Sequence, residues 1–187
     1  DFTEKGAVTV DMSEYIKTII SERPADMKGK AATPAASHLF NIREDPVPIN
    51  QERSDIFHKM VMQLQYLSQR ARPDVRTAVS FLCKRVSAPD EDDYKKLTRA
   101  MKYLQSTLYL KLKLEADDSG IIRWWVDTSY AVHPDMKGHT GGTMSMGKGS
   151  IYSIASGQKL VARSSTESEL IGVHDVMPQI VWTSYFL

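Results

Sequence analysis

Ile121-Ile122-Arg123-Trp124-Trp125-Val126-Asp127-Thr128-Ser129-Tyr130 sets a carboxylate in an apolar, β-prone run, and Ser164-Ser165-Thr166-Glu167-Ser168-Glu169-Leu170 sets two more at the start of a helical pattern. Between them, residues 141–146, a Gly147-Lys148-Gly149 turn and residues 151–155 read as an antiparallel hairpin beside the Asp127 strand. Aspartate is depleted from strand interiors because a charge there is costly to bury, so Asp127 either caps the following turn or has a stabilising partner. Ser164 to Glu167 and Thr166 to Glu169 both fit the helix-start capping pattern, so one glutamate can serve the cap while the other faces the sheet. If the helix packs on the Asp127 strand, Glu169 would approach that carboxylate. Two such acids repel unless they share a hard cation, and oxygen-ligated Mg2+ or Mn2+ is the natural choice.

Outward from these segments, the chain resolves into three stretches. Residues 1–54 hold a short strand at 7–10, a helix at 13–22, a linker through Pro24 and 29–37, and an extended, exposed segment at 38–54 that contains Pro46 and Pro48. Residues 55–117 show helical periodicity three times: Ile56, Met60, Leu64 and Leu67; Val75, Val79, Leu82 and Val86; then Leu97, Met101, Leu104 and Leu108. Leu108, Leu110, Leu112 and Leu114 alternate with polar residues as in a strand, and Asp117-Asp118-Ser119-Gly120 turns into the third stretch, 118–187. Pro178 is expected to break or kink the last helix near Met177. The fold class is therefore α+β, a small helical layer followed by three antiparallel strands and a helix.

Composition is that of a globular protein, 42% hydrophobic and 25% charged, with no run of apolar residues long enough to span a membrane and no secretory leader. An intracellular, non-secreted location is expected. The single cysteine, Cys83, lies at helical spacing with Val75, Val79 and Leu82 and reads as a core residue. The net charge of +1 conceals a basic middle, since residues 59–113 carry twelve Lys or Arg against five Asp or Glu. Arg70, Arg72, Arg76, Lys95, Lys96 and Arg99 are its candidate contacts to phosphate, a solvated helix face being the alternative. Gly142–Lys148 has the spacing of a phosphate-binding loop, but Gly149 stands where Ser or Thr is required and a strand-like run follows. The five histidines lack zinc-site spacing.

An ordered series of short motifs carries a resemblance: Tyr66-Leu67-Ser68, Arg72-Pro73-Asp74-Val75, Lys102-Tyr103-Leu104, Val126-Asp127, Leu160-Val161-Ala162, and Ser164-Ser165-Thr166-Glu167-Ser168-Glu169. The series resembles the end of the reverse transcriptase region and the start of the ribonuclease H domain in Ty1/copia-type retrotransposon polyproteins. Asp11-Met12-Ser13-Glu14-Tyr15-Ile16 and Ala32-Thr33-Pro34 extend the likeness toward the start of the chain. The resemblance implies a palm end and linker at 1–54, a thumb- or connection-like layer at 55–117, and the N-terminal half of a ribonuclease H-like domain at 118–187. It implies Asp127 and Glu169 as catalytic metal ligands, Mg2+ or Mn2+ as cofactor, an RNA–DNA hybrid and the rest of the polyprotein as partners, and residence in a cytoplasmic particle or nucleus. The family's third carboxylate follows this helix and its paired polymerase aspartates precede this stretch. The chain alone is therefore expected to have little nuclease activity, and a non-catalytic binding module or decayed remnant is the alternative.

Overall fold

The computed structural model describes residues 6–187, and the chain divides into two compact units, Asp1–Lys113 and Leu114–Leu187. In the first, strand β1 (Ala7–Val10) leads into helix α1 (Ser13–Glu22), where the Asp11 carboxylate accepts from the Ser13 amide at 2.8 Å. Helix α2 (Gln51–Arg70) starts at Asn50, whose side chain accepts from the Arg53 amide at 2.9 Å. Helix α3 (Arg76–Cys83) is short. Helix α4 (Glu91–Ser106) begins with a capping box in which Asp90 and Asp93 each bond the other's backbone amide, satisfying donors that a helix start leaves open.

The periodic apolar positions form the core. Ile16, Ile19, Phe57, Leu64, Leu67, Val79, Leu82, Leu97, Met101 and Leu104 are all buried, and Ile56, Val86 and Leu108 pack at its margin. Two expectations need correction here. Residues 38–54 are not simply extended and exposed, because Leu39 is buried in the core, Phe40 meets Phe81 edge-on with ring centres 5.9 Å apart, and α2 already begins at Gln51. The alternating leucines do not all form a strand either. Thr107 closes α4 by donating to Tyr103 and Leu104, Leu110 donates back to Thr107 in a further turn, and strand β2 spans only Leu112–Ala116.

Arg72 is the largest fully buried side chain among the described residues. Its Nε and Nη2 donate to the two Asp74 oxygens at 2.9 and 2.7 Å, while Nη1 and Nη2 donate to the Thr107 carbonyl and hydroxyl at 3.0 and 2.6 Å. Tyr103 adds its hydroxyl to Asp74 at 2.8 Å. One guanidinium thereby ties the turn after α2 to the end of α4. Burial alone would raise the Asp74 carboxyl, but the hydrogen bonds and charge of Arg72, with the Tyr103 hydroxyl, hold it below its ordinary value.

In the second unit, strands β3 (Arg123–Ser129), β4 (His139–Ser145) and β6 (Tyr152–Gly157) form an antiparallel sheet with β4 central. Register runs from Arg123 opposite Ser145 to Ser129 opposite His139, and from His139 opposite Gly157 to Met144 opposite Tyr152. The two-residue strand β5 (Gly147–Lys148), read from sequence as part of a turn, pairs with Glu115 and Ala116 of β2. Helix α5 (Ser165–Phe186) runs unbroken through Pro178. Pro178 and His174, the residue whose carbonyl loses its donor, are both exposed, so water can satisfy that carbonyl and the proline is tolerated.

Two predictions follow from these contacts. Arg72→Met leaves Asp74 with only the Tyr103 hydroxyl and takes the guanidinium from Thr107, and it should cost about 3 kcal/mol in urea denaturation, the low end for orphaning one partner of a buried pair because the Asp74 side chain keeps 29% exposure. Since folding lowers the Asp74 carboxyl, the difference between the proteins should be complete above pH about 3.9 and should shrink as pH falls through the folded value. Gly172→Ala should lower the melting temperature despite a helix-propensity gain of about 1 kcal/mol, because its Cβ would land on Thr128 Cγ2; adding Thr128→Ser should restore it.

Candidate carboxylates and cationic surface

Gly172 decides which face of the sheet α5 covers. A Cβ there would meet the Thr128, Val126 and Thr140 side chains, so these residues point toward the helix, and Val176 lies against Gly142 in the same layer. Side chains alternate along a strand, hence Trp125, Asp127 and Ser129 point to the opposite face. Asp127 is exposed there, and its Oδ1 accepts from the Thr128 amide at 2.9 Å. Strand β3 continues two residues past Asp127, so the aspartate does not end the strand, and its carboxylate engages the next residue's amide within it.

Ser164 is the observed cap of α5, accepting from the Glu167 amide at 3.2 Å, and Glu167 Oε2 accepts from the Arg163 amide at 2.6 Å. Glu167 is the glutamate engaged at the cap. Glu169 is exposed, one position past the fully buried Ser168, and shares no hydrogen bond with Asp127. The helix does pack on the Asp127 strand as expected, but on the face that carries Val126 and Thr128.

What holds α5 down is a buried polar group that spacing did not flag. Gln158 Nε2 donates to the Ser168 carbonyl at 2.9 Å and to Thr140 Oγ1 at 3.3 Å, while Ser168 Oγ donates to Gln158 Oε1 at 3.1 Å. Thr140 in turn donates to Asp175 Oδ2 at 2.9 Å. Gly138 is required beside them, because a Cβ would strike Gln158 and the Ser129 carbonyl. On the Asp127 face, the buried His139 meets His133 with ring nitrogens 3.1 Å apart, a packing role that no metal spacing had suggested.

Oxygen donors of this kind suit a hard cation. Among the described residues no three His, Cys, Asp or Glu side chains cluster closely enough to hold a metal ion. Asp127 lies on the face turned away from the helix that carries Glu169, and no hydrogen bond joins the two acids.

The basic candidates separate into structural and surface groups. Arg72 is buried and spends its donors on Asp74 and Thr107, so it is a tie within the fold and not a phosphate contact. Lys96 is 8% exposed and is held by the Asn41 carbonyl, by Asp92 at 2.8 Å and over the Phe81 ring. It too leaves the surface set. Arg70 is exposed and lies 5.1 Å over the Tyr66 ring; Lys95 is exposed; Arg76 and Arg99 are half-buried. The apolar face of each helix was legible, but a cation at its border can turn inward when it finds an acceptor there. Cys83 packs against the core, and burial pushes its thiol up, away from the reactive thiolate. Gly142–Lys148 runs along β4 and β5 with no helix after it, unlike a phosphate loop.

No helix among the described residues is long and apolar enough to cross a membrane. No family model and no solved structure matches the chain. An uncharacterized mitochondrial protein of Arabidopsis thaliana is 29% identical over 129 residues, covering 68% of this chain and 53% of that protein. The retrovirus-related Pol polyprotein from transposon TNT 1-94 of Nicotiana tabacum is 24% identical over 183 residues, 95% of this chain and 14% of the polyprotein. A putative transposon Ty5-1 protein of Saccharomyces cerevisiae is 23% identical over 190 residues, 95% of this chain and 58% of that protein. This chain thus spans about half of the first relative and a small part of the second. Its relatives include retrotransposon and Pol-polyprotein proteins, similar at low identity over nearly its whole length.

Proposed function

We propose that this chain is part of a Ty1/copia-type retrotransposon polyprotein, from the end of the reverse transcriptase region into the ribonuclease H domain. We also propose that, alone, it contacts nucleic acid without cleaving it. The observation that carries the reading is the similarity to a Pol polyprotein across 95% of the chain, with the strand bearing Asp127 and the helix bearing Glu169 in the order expected of a ribonuclease H start. The parent activities would be RNA-directed DNA synthesis and hydrolysis of RNA in RNA–DNA hybrids. Asp127 and Glu169 would be this stretch's share of the acids for the second.

Binding and chemistry separate on physical grounds. The exposed cations of the first unit, Arg70 and Lys95 among them, can neutralise phosphates and release counterions without any metal. Such contacts read the shape and backbone of a hybrid and are indifferent to base sequence. Cleavage needs an attacking water and a leaving oxygen held in line, and two exposed acids that no third ligand joins do not position either. A repurposed, non-catalytic contact module is the second reading, favoured by the same separation of Asp127 from the helix that carries Glu169.

The deciding experiment incubates the chain and its Asp127→Asn variant with a labelled RNA–DNA hybrid in Mg2+ or Mn2+ and reads both product and bound fraction. Equal binding by the two proteins with no cleavage above buffer is expected; cleavage lost in the variant would overturn the inactivity of the isolated chain. Arg70→Glu should weaken binding roughly tenfold at low salt and flatten its salt dependence in fluorescence anisotropy, while the loss of the Tyr66 contact and of a cation at the end of α2 lowers the melting temperature only slightly. An unchanged affinity would remove Arg70 from the contact surface.

A further inference from the structure

A cavity of about 190 Å³ opens between the segment around Ala36–Leu39 and one face of α4, lined by His38, Asp92, Lys95, Lys96 and Arg99. Positions 92, 95, 96 and 99 fall on one side of a helix by their three- and four-residue spacing. The charges in this cleft do not cancel. Asp92 is neutralised by Lys96, whose ammonium lies 2.8 Å away and is further anchored on the Asn41 carbonyl. Lys95 and Arg99 then remain as cations with no ion pair among the described residues. Arg99 Nη2 donates to Thr33 Oγ1 at 2.8 Å, which fixes the guanidinium, while its Nε is buried and finds no acceptor among the described residues.

A guanidinium fixed on Thr33 and an ammonium one helical turn before it, both lining the cleft, suit a tetrahedral oxyanion. We infer that this cleft seats a phosphoryl group, with Arg99 as the forked donor, Lys95 as a point charge, His38 at the rim, and the Lys96–Asp92 pair shaping the wall. As a nucleic-acid contact it rests on the hybrid-binding reading above. Within that reading, it makes one phosphate of the bound strand a docked group and not merely one neighbour of a diffuse basic face. The shared chemistry is a phosphoryl oxyanion, from either a chain phosphodiester or a terminal phosphomonoester.

The test uses the full chain, fluorescence anisotropy with hybrids carrying or lacking a 5′-phosphate, and amide NMR titration with inorganic phosphate. Three proteins are compared: the wild type, Lys95→Glu, and Ala36→Leu, which fills the cleft without changing charge. Both variants should bind hybrid roughly tenfold more weakly with unaltered melting temperatures. Lys95→Glu should also lower the salt slope, by at least the value of about one expected for a lost phosphate contact. A preference for the 5′-phosphorylated hybrid that Ala36→Leu abolishes would place the terminal monoester in the cleft, and equal wild-type affinity for the two hybrids would place the chain phosphodiester there. Wild-type binding that neither variant weakens would overturn the cleft while leaving the hybrid-binding reading intact. No hybrid binding, with phosphate still shifting the amides of Ala36–Leu39 in the wild type but not in Ala36→Leu, would remove the hybrid reading and keep the cleft as a small-anion site. Absence of both would overturn both.

Discussion

The first unit is organised around a charge that has nowhere else to go. A guanidinium cannot shed its proton, so the buried Arg72 must find an acceptor for its donors or be expelled from the core. It finds them in Asp74, two residues on, and in Thr107, at the end of α4. The first partner shapes the turn that redirects the chain after α2; the second requires α4 to end where it does. Leu67, Val75, Leu82 and Leu104 are buried in the core that these two helix ends enclose. An ion pair of this kind is a poor source of net stability against a well-packed apolar substitute, yet it specifies the arrangement, since any other packing orphans a charge.

The second unit solves an equivalent problem with neutral groups. Its long helix has little difference between faces: Ser168, Gly172 and Val176 lie against the sheet, while Leu170, Val173, Met177 and Trp182 are exposed. Apolar area alone therefore does not tell α5 which face to bury. Gln158 and Thr140 do, because they are satisfied only when Ser168 and Asp175 come down on them, and Gly172 then lets the helix approach Thr128. The outcome fixes Asp127 on the far face of the sheet.

Much of this was legible in the residues. Helix periodicity, the Ser13–Glu22 helix, the Ser164-capped start of α5 and the three-stranded hairpin sheet all follow from spacing and turn chemistry that act within a few residues. The misreadings share a cause. Leu39 in a proline-containing segment, Arg72 and Lys96 on nominally polar positions, and Pro178 inside a helix are each decided by a partner distant in sequence or by solvent at one carbonyl. Alternation could say that Asp127 and its neighbours face opposite ways, but not which way the helix would lie.

That limit bears directly on the carboxylates. The motif around Ser164–Glu169 does double duty: Ser164 and Glu167 satisfy the helix start, and Ser168 bonds the sheet through Gln158. Three of the residues that make the segment recognisable thus have full structural occupations independent of catalysis. Glu169 and Asp127 are different, since neither is tied to a distant part of the fold by a hydrogen bond. Acids kept exposed on a scaffold that does not need them stand available to an added ligand set or partner surface, whereas Arg72, equally part of the recognisable series, is spent on holding its unit together.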